Sequence, residues 1–101
     1  MPLNYSTYLK LPELLDQQLA QSDPAEHDEL LFIIIHQTYE LWFKLLLHEF
    51  EKINRDFSGN DLYGAIATFR RVRTVMKTLV AQVDILETMA HRAMRSCSVF
   101  R

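Results

Sequence analysis

His36 is the residue whose type and surroundings point most directly to chemistry. The chain has four histidines, and this one lies within a long apolar run. If the run is helical, His36 projects close to Phe32 and Phe43, with Glu40 beside it. Such an imidazole can be a core residue whose nitrogens bond the backbone or Glu40. It can equally face a ligand and make one directed hydrogen bond near neutral pH.

Other chemical motifs in the sequence are weak. His36 and Glu40, and Glu87 and His91, have the i,i+4 spacing of two ligands on one helix face. Both pairs lack further ligands, and the Glu-x-x-His pairs of a four-helix carboxylate site are absent. The sequence also has no glycine-rich phosphate loop and no Gly-x-Ser-x-Gly elbow. We therefore predict no protein-ligated metal site.

Composition and charge narrow the classes of partner. The net charge is −2 and both signs are interspersed, so neither nucleic acid nor an anionic membrane is expected as a partner. We interpret four basic residues as a solvated face or as ion-pair partners of acids such as Glu49 and Glu51; they are Arg70, Arg71, Arg73 and Lys77. The single cysteine, Cys97, suits a reducing cytoplasm. His36, Gln37, Glu40 and Lys44 interrupt the apolar run Leu30–Leu47, which argues against a transmembrane segment.

The elements that must position these side chains are helices. Two glycines in 101 residues leave little turn material. Asp23 and Pro24 are typical of a helix start, and Gly59 is typical of a helix end. We predict an all-α fold in which a long antiparallel helical hairpin follows a short helix and an extended N-terminal arm. The predicted ranges, within a single partial domain 1–101, are 1–10 for the arm, 11–20 for the short helix, and 24–57 and 60–96 for the long helices.

Both long helices carry more apolar surface than a hairpin can cover. The first is apolar nearly all round, which is typical of a helix buried in a larger assembly. The second has a heptad-like seam that steps by three and four residues. Its members are Leu62, Ala65, Phe69, Val72, Met76, Leu79, Val83 and Leu86, continued by Ala90, Ala93 and Cys97. With 49% hydrophobic residues, the chain is expected to be covered by other copies or by further sequence.

Three blocks of sequence together resemble the tryptophan 2,3-dioxygenase family. The first is Tyr5-Ser-Thr-Tyr8-Leu9 followed by Leu11-x-x-Leu14-Leu15. The second runs from Glu26 to Lys44, includes the unusual string His36-Gln-Thr-Tyr-Glu-Leu-Trp-Phe43, and continues with Leu47-His48-Glu49. The third runs from Arg71-Val-Arg73 to Leu86-Glu-Thr-Met89. The match is nearly continuous over residues 5–89.

This resemblance implies a function in tryptophan catabolism through the kynurenine pathway. Members of the family are homotetrameric, all-α haem oxidoreductases that insert O2 across the indole 2,3-bond of L-tryptophan to give N-formylkynurenine. By resemblance, His36 matches the catalytic distal histidine, which hydrogen-bonds the indole N–H, and Phe32 matches an aromatic wall of the indole pocket. Tyr5, Tyr8 and Leu9 match arm residues that reach into a neighbouring subunit's site. The resemblance thus implies L-tryptophan, haem and a homo-oligomer with intersubunit arm contacts.

After Met89 the sequence departs from the family. The family's arginine that clamps the substrate carboxylate falls on Ser98, and a carboxylate-binding tyrosine falls on Met94. Arg101 would match that arginine only if three residues were inserted. The proximal haem-ligating histidine belongs to a later part of the family that this chain lacks. We therefore expect a truncated homologue that keeps the distal half-pocket and is not active alone.

Two alternatives remain open at the level of sequence. The apolar central helix also suits a helical module that self-associates without catalysis. A weaker alternative is a bundle that binds haem or another small ligand across an oligomer interface, through His36 or His91 of different copies.

Overall fold

A computed structural model describes residues 2–89 of the chain. These residues form four helices and no strand: α1 (Tyr5–Leu9), α2 (Leu11–Leu14), α3 (Glu29–Ser58) and α4 (Leu62–Glu87). The two long helices lie side by side and antiparallel, with a short turn between them. The predicted all-α fold with a long helical hairpin is confirmed.

The turn between α3 and α4 is built by local hydrogen bonds. The Gly59 N–H donates to the Arg55 carbonyl at 2.9 Å and closes α3. Asn60 then takes a left-handed conformation (φ 59°), which asparagine tolerates better than most residues. The Asp61 carboxylate accepts from the Gly64 N–H at 2.9 Å and caps α4. A Cβ at Gly64 would lie 2.4 Å from an Asp61 carboxylate oxygen, so a larger residue there would make the capping side chain shift.

Apolar side chains between α3 and α4 make the main core. It contains Leu46, Ile53, Val72, Val75 and Leu79, with Tyr39, Trp42 and Leu45 packed against it. The Tyr39 hydroxyl also donates to the Leu79 carbonyl at 2.6 Å and links the two helices. A smaller cluster, Phe32 and Met89 with Leu31 and Leu86, closes the far end of the hairpin.

The heptad-like seam of α4 is half confirmed. The row Ala65, Val72 and Leu79 is buried against α3 as predicted. The second buried row is displaced by one residue and contains Thr68 and Val75, whereas Phe69 and Met76 are exposed. Thr68 and Val75 flank the first row on one side and Phe69 and Met76 on the other, so spacing alone does not decide which flank faces α3. The proposed continuation to Ala90, Ala93 and Cys97 lies outside the described residues.

The N-terminal part differs from the prediction at both of its elements. Residues 5–9 are helical rather than extended, because Asn4 and Thr7 form a reciprocal capping box with bonds of 2.9 Å each way. The short helix ends at Leu14 rather than at residue 20. Beyond Leu14 the side chain of Gln18 turns back to donate to the Leu14 carbonyl at 2.8 Å, and residues 17 and 18 bond to α3 instead of continuing the helix.

The long helices are also shorter than predicted. α3 begins at Glu29 rather than at residue 24, because Ser22 accepts the Glu26 N–H at 3.1 Å and the Glu29 carboxylate accepts the N–H groups of residues 21 and 22. These bonds hold the preceding residues in a turn. α4 ends at Glu87 rather than at 96, where the Thr88 N–H and hydroxyl both bond the Ile85 carbonyl.

Much apolar surface remains uncovered by the hairpin. The radius of gyration is 18.0 Å, whereas a compact domain of this length has about 13 Å. On α4 the exposed apolar residues form a row beside the buried one, which we call the outer row: Leu62, Ile66, Phe69, Met76, Val80 and Val83. Within residues 2–89, α3 is the one helix long and apolar enough to cross a bilayer. That is weak support for a membrane span, because the core helix of a soluble protein passes the same test.

Candidate functional site

His36 is held in one orientation by its own helix. It is half-buried on α3, and its Nδ1 lies 2.6 Å from the carbonyl oxygen of Phe32, one turn earlier. A carbonyl oxygen can only accept, so Nδ1 carries the hydrogen and donates. In the neutral imidazole the other nitrogen, Nε2, is then the acceptor. The Phe32 ring supports this orientation, with its centroid 4.5 Å from that of the imidazole and a 46° tilt between the planes.

A cavity of about 780 Å³ lies beside His36. This volume is in the range of small-molecule sites. One side of the cavity is α3, and the opposite side is the chain around Leu14–Gln18. The lining residues are mainly aliphatic and amide side chains, with one carboxylate, one lysine, one histidine and one threonine: Leu14, Leu15, Gln17, Gln18, Ile34, His36, Gln37, Thr38, Glu40, Leu41 and Lys44.

Gln37 joins the two sides of this cavity. Its Nε2 donates to the carbonyl of Gln17 at 2.8 Å, and its Oε1 accepts from Nε2 of Gln18 at 3.0 Å. Gln18 uses the same amide nitrogen to reach the Leu14 carbonyl. We call residues 14–22 the wall segment: its first part forms the side of the cavity opposite α3, and such bonds fasten the segment to that helix.

Glu29 fastens the other end of the wall segment. It is only 2% exposed. Its carboxylate accepts the Gln21 N–H at 2.7 Å, the Ser22 N–H at 3.0 Å and the Ser22 hydroxyl. The Ser22 side chain and then the two backbone donors lower the pKa of Glu29 below its ordinary value of 4.5, against the opposing effect of burial.

The lowered pKa of Glu29 predicts an acid-sensitive attachment of the wall segment. A carboxyl whose pKa is lower in the folded chain stabilises it above the ordinary pKa, and this contribution is lost as the pH falls through the folded value. We expect the amide resonances of Gln21 and Ser22 to move from their bonded positions as the pH falls below 4.5. Two-dimensional NMR over this range measures the change. Glu29→Gln should abolish this titration, whereas Glu51→Gln, at an exposed site, should preserve it; an unchanged titration in Glu29→Gln would contradict the assignment.

Of the other predicted site residues, Phe32 contacts His36 and the three arm residues do not line its cavity. Phe32 contacts the imidazole, but it is 6% exposed, packs against Met89 and does not line the cavity. Tyr5, Tyr8 and Leu9 lie on α1, are exposed and are also absent from the cavity lining. The structure thus brings Phe32 and His36 together and leaves the arm residues apart from them within one chain. Their roles towards a ligand stay predictions.

Gln37 and Glu29 were not predicted as site residues. Each acts through a bond to a residue 7 to 20 positions away in sequence. A helical pattern in the sequence identifies contacts only between residues three or four positions apart, so it does not reveal these bonds. The one local signal is that Glu29 precedes an apolar run and Gln37 interrupts it, and this does not identify their partners.

The basic cluster of α4 has the structural role that was predicted for it. Arg71 donates to the Glu49 carboxylate at 2.9 Å, and Glu49 is buried at 4% exposure. Arg70, Arg73 and Lys77 are exposed. Among residues 2–89 there is no group of three histidine, cysteine or acidic side chains placed to hold a metal ion.

Comparison with known proteins places the chain in a family. The family model described as tryptophan 2,3-dioxygenase matches residues 1–96. The chain belongs to the tryptophan 2,3-dioxygenase family. It is 53% identical over 87 residues to the tryptophan 2,3-dioxygenase of Herpetosiphon aurantiacus, a match that covers 86% of this chain and 34% of the relative. The corresponding enzyme of Anaeromyxobacter dehalogenans is 51% identical over 94 residues, covering 89% of this chain and 33% of the relative.

The family assignment confirms the resemblance seen in the sequence. A third relative, the tryptophan 2,3-dioxygenase of a Nocardioides species, is 50% identical over 91 residues, or 86% of this chain and 34% of the relative. The chain therefore spans about a third of the length of the curated relatives it matches.

The cavity beside His36 offers one histidine that could face a haem. Tryptophan 2,3-dioxygenases are generally haem-dependent, and an axial histidine is the usual iron ligand of such groups. His36 is the one histidine of residues 2–89 that lines the cavity, and the resemblance puts it on the substrate side of the iron. His27 and His48 are exposed elsewhere. A proximal ligand would therefore have to come from outside this cavity.

Proposed function

We propose that this chain forms the distal half of an L-tryptophan site, in which Nε2 of His36 accepts a hydrogen bond from the indole N–H. The bond from Nδ1 to the Phe32 carbonyl carries this proposal, because it makes Nε2 the acceptor nitrogen. Membership of the tryptophan 2,3-dioxygenase family supports the choice of substrate.

In this role His36 orients the substrate as a neutral base. Haem, when bound, supplies the oxygen chemistry that converts tryptophan to N-formylkynurenine, and the protein supplies orientation and exclusion of water. Leu14, Ile34 and Leu41 give the cavity apolar walls that suit an indole ring. A hydrogen bond of this kind contributes on the order of 1 kcal/mol. His36 is therefore the proposed catalytic residue of this half-site, acting on rate and substrate choice.

The complete reaction is proposed to require more than this chain. No second histidine of residues 2–89 lines the cavity, so we propose that the chain alone does not hold haem productively and is not active. The exposed arm residues Tyr5, Tyr8 and Leu9 are proposed to contact a neighbouring subunit of a homo-oligomer. The location we propose is the cytoplasm.

A chimera tests the proposal directly. Residues 1–89 of this chain replace the matched region of the Herpetosiphon aurantiacus relative, which is similar enough to accept them. The expected result is a Soret band and N-formylkynurenine formation by the chimera, with no turnover by the 101-residue chain given haem and L-tryptophan. A folded, haem-loaded chimera without turnover would contradict the distal half-site, and robust turnover by the chain alone would contradict its proposed incompleteness.

His36→Ala in the chimera should lower kcat/KM for L-tryptophan about tenfold, because one hydrogen bond worth about 1.4 kcal/mol is lost. The analogue in which sulfur replaces the indole N–H cannot make this bond, so its kcat/KM should change little. Steady-state rates with both substrates measure the difference. His48→Ala is the matched control, since this histidine is exposed on the same helix. Equal losses for both substrates would contradict N–H recognition by His36.

Self-association is a second candidate, favoured by the exposed outer row of α4. A row of exposed apolar side chains suits an interaction site in a soluble protein. Sedimentation velocity of the 101-residue chain should show concentration-dependent oligomers. A monomer at high concentration would contradict this function.

A further inference from the structure

We propose that Gln37 is a positioning residue, which sets the shape of the His36 cavity by holding the wall segment against α3. The identity of the ligand rests on the function proposed above, whereas the anchoring itself does not. Gln37 directly follows His36 on α3, and both residues line the cavity. Its side chain therefore couples the side of the cavity that bears the imidazole to the side that faces it.

The bonds of Gln37 use both ends of one carboxamide. The Nε2 donates to the Gln17 carbonyl at 2.8 Å, and the Oε1 accepts from Gln18 at 3.0 Å. An amide is well suited to this position because it offers a donor and an acceptor on one rigid plane. The two partners are adjacent in the chain, so their bonds fix both the distance and the direction of the wall segment.

Hydrophobic burial does not explain why the wall segment stays in place. Leu15 and Leu19 are 70% and 69% exposed, and Leu14 is more than one third exposed. Apolar side chains stabilise a contact in proportion to the area that they remove from water, and here that area is small. The polar anchors at Gln37 and Glu29 are then the main attachments of the segment to α3 within the described residues.

Loss of the Gln37 anchor would open the cavity on the side opposite His36. Leu14, Gln17 and Gln18 belong to that side, and they would no longer be fixed relative to the imidazole. Water would then enter and the ligand would lose contacts, while the hydrogen bond that His36 accepts from the indole N–H would be preserved. Ligand binding should therefore weaken more than the chemical step.

The first measurement uses the 101-residue chain itself. Gln37→Leu removes both bonds at similar volume, and hydrogen–deuterium exchange of residues 14–22 should rise about tenfold for a loss of the order of one net hydrogen bond. Exchange within α3 and α4 should not change. Thr38→Val is the matched control, because Thr38 lines the same cavity but its hydroxyl bonds the Ile35 carbonyl of its own helix. Unchanged exchange of residues 14–22 in Gln37→Leu would overturn the anchoring.

The second measurement uses the chimera. Gln37→Leu should raise KM for L-tryptophan about tenfold and leave kcat within about twofold, with the same change for the sulfur analogue. Gln37→Glu, which keeps an acceptor for Gln18 but loses the donor to Gln17, should give an intermediate KM. An exposed-site control, Glu51→Gln, should leave both constants unchanged.

The outcomes separate this inference from the proposed function. Raised exchange with an unchanged KM would overturn the positioning role of Gln37. A changed preference between L-tryptophan and its sulfur analogue in Gln37→Leu would also overturn it, because that preference is assigned to His36. Failure of the His36→Ala test, with the Gln37 results as expected, would contradict the hydrogen bond to the indole N–H and leave the anchoring in place.

Discussion

Phe32→Ala is expected to lower the free energy of unfolding by about 3 kcal/mol, within the range found when a buried phenylalanine is truncated. Phe32 is 6% exposed and packs against Met89, Leu31 and Leu86, where the end of α4 meets the start of α3. Its ring also supports the imidazole of His36. Truncation would leave a cavity at this end of the hairpin and remove that support.

Urea denaturation followed by circular dichroism measures the effect of Phe32→Ala. Phe50→Ala is the matched control, because Phe50 lies on the same helix with more than one third of its side chain exposed; its expected cost is about 1 kcal/mol. Equal costs for the two variants would contradict the packing role of Phe32. The result also affects how activity is interpreted. A loss of turnover in Phe32→Ala would have two causes, the lower stability of the fold and the lost support of the His36 ring.

Arg71→Met is expected to lower the free energy of unfolding by about 2–3 kcal/mol. The cause is the Glu49 carboxylate, which is only 4% exposed and would lose its ion pair with Arg71. Its charge would then be buried without a partner. Breaking a buried pair by removing one partner costs about 3–5 kcal/mol. We expect the smaller cost of about 2–3 kcal/mol because the Arg71 side chain is two-thirds exposed, so that solvent reaches the pair and weakens it.

A double variant distinguishes the effect of the unpaired charge from the effect of changing the side-chain shapes. Glu49→Met combined with Arg71→Met removes both charges, and its stability should recover most of the loss, since an apolar replacement of a buried pair is often neutral. Arg73→Met serves as the control for loss of an exposed charge on the same helix. Thermal or urea unfolding of the parent chain, the single variants Glu49→Met and Arg71→Met, and the double variant gives the coupling energy. A double variant as unstable as Arg71→Met would contradict an unpaired Glu49 charge as the cause.

The hairpin could be predicted from the sequence because its signals are local. Gly59 ends α3, and the three-and-four spacing of apolar residues identifies α4. The displaced seam could not be predicted, because Thr68 and Phe69 are both compatible with burial until the position of α3 is known. Small residues such as Ala65 and Thr68 face α3, and the larger Phe69 remains outside.

The site was predictable to a lesser extent than the fold. His36 stands out as a polar residue among aromatics, and Phe32 is its neighbour one turn earlier on the helix. The wall segment was predicted as helix up to residue 20, because Leu14, Leu15 and Leu19 have helical spacing. Tertiary bonds from Gln37 and Glu29 outweigh that weak local preference. Such bonds join distant parts of the chain, and a single sequence does not reveal them.

The short turn between α3 and α4 has a consequence for the order of events during synthesis. Contacts across the hairpin begin with residues a few positions apart and spread outwards, so no long loop must close before they form. Helical proteins with such contacts fold in microseconds to milliseconds, whereas a ribosome adds about 5–20 residues per second. The hairpin can therefore close before the next amino acid is joined, once residue 87 has emerged. The outer row of α4 would then be in place from the start, as a preformed apolar surface for whatever packs on it afterwards.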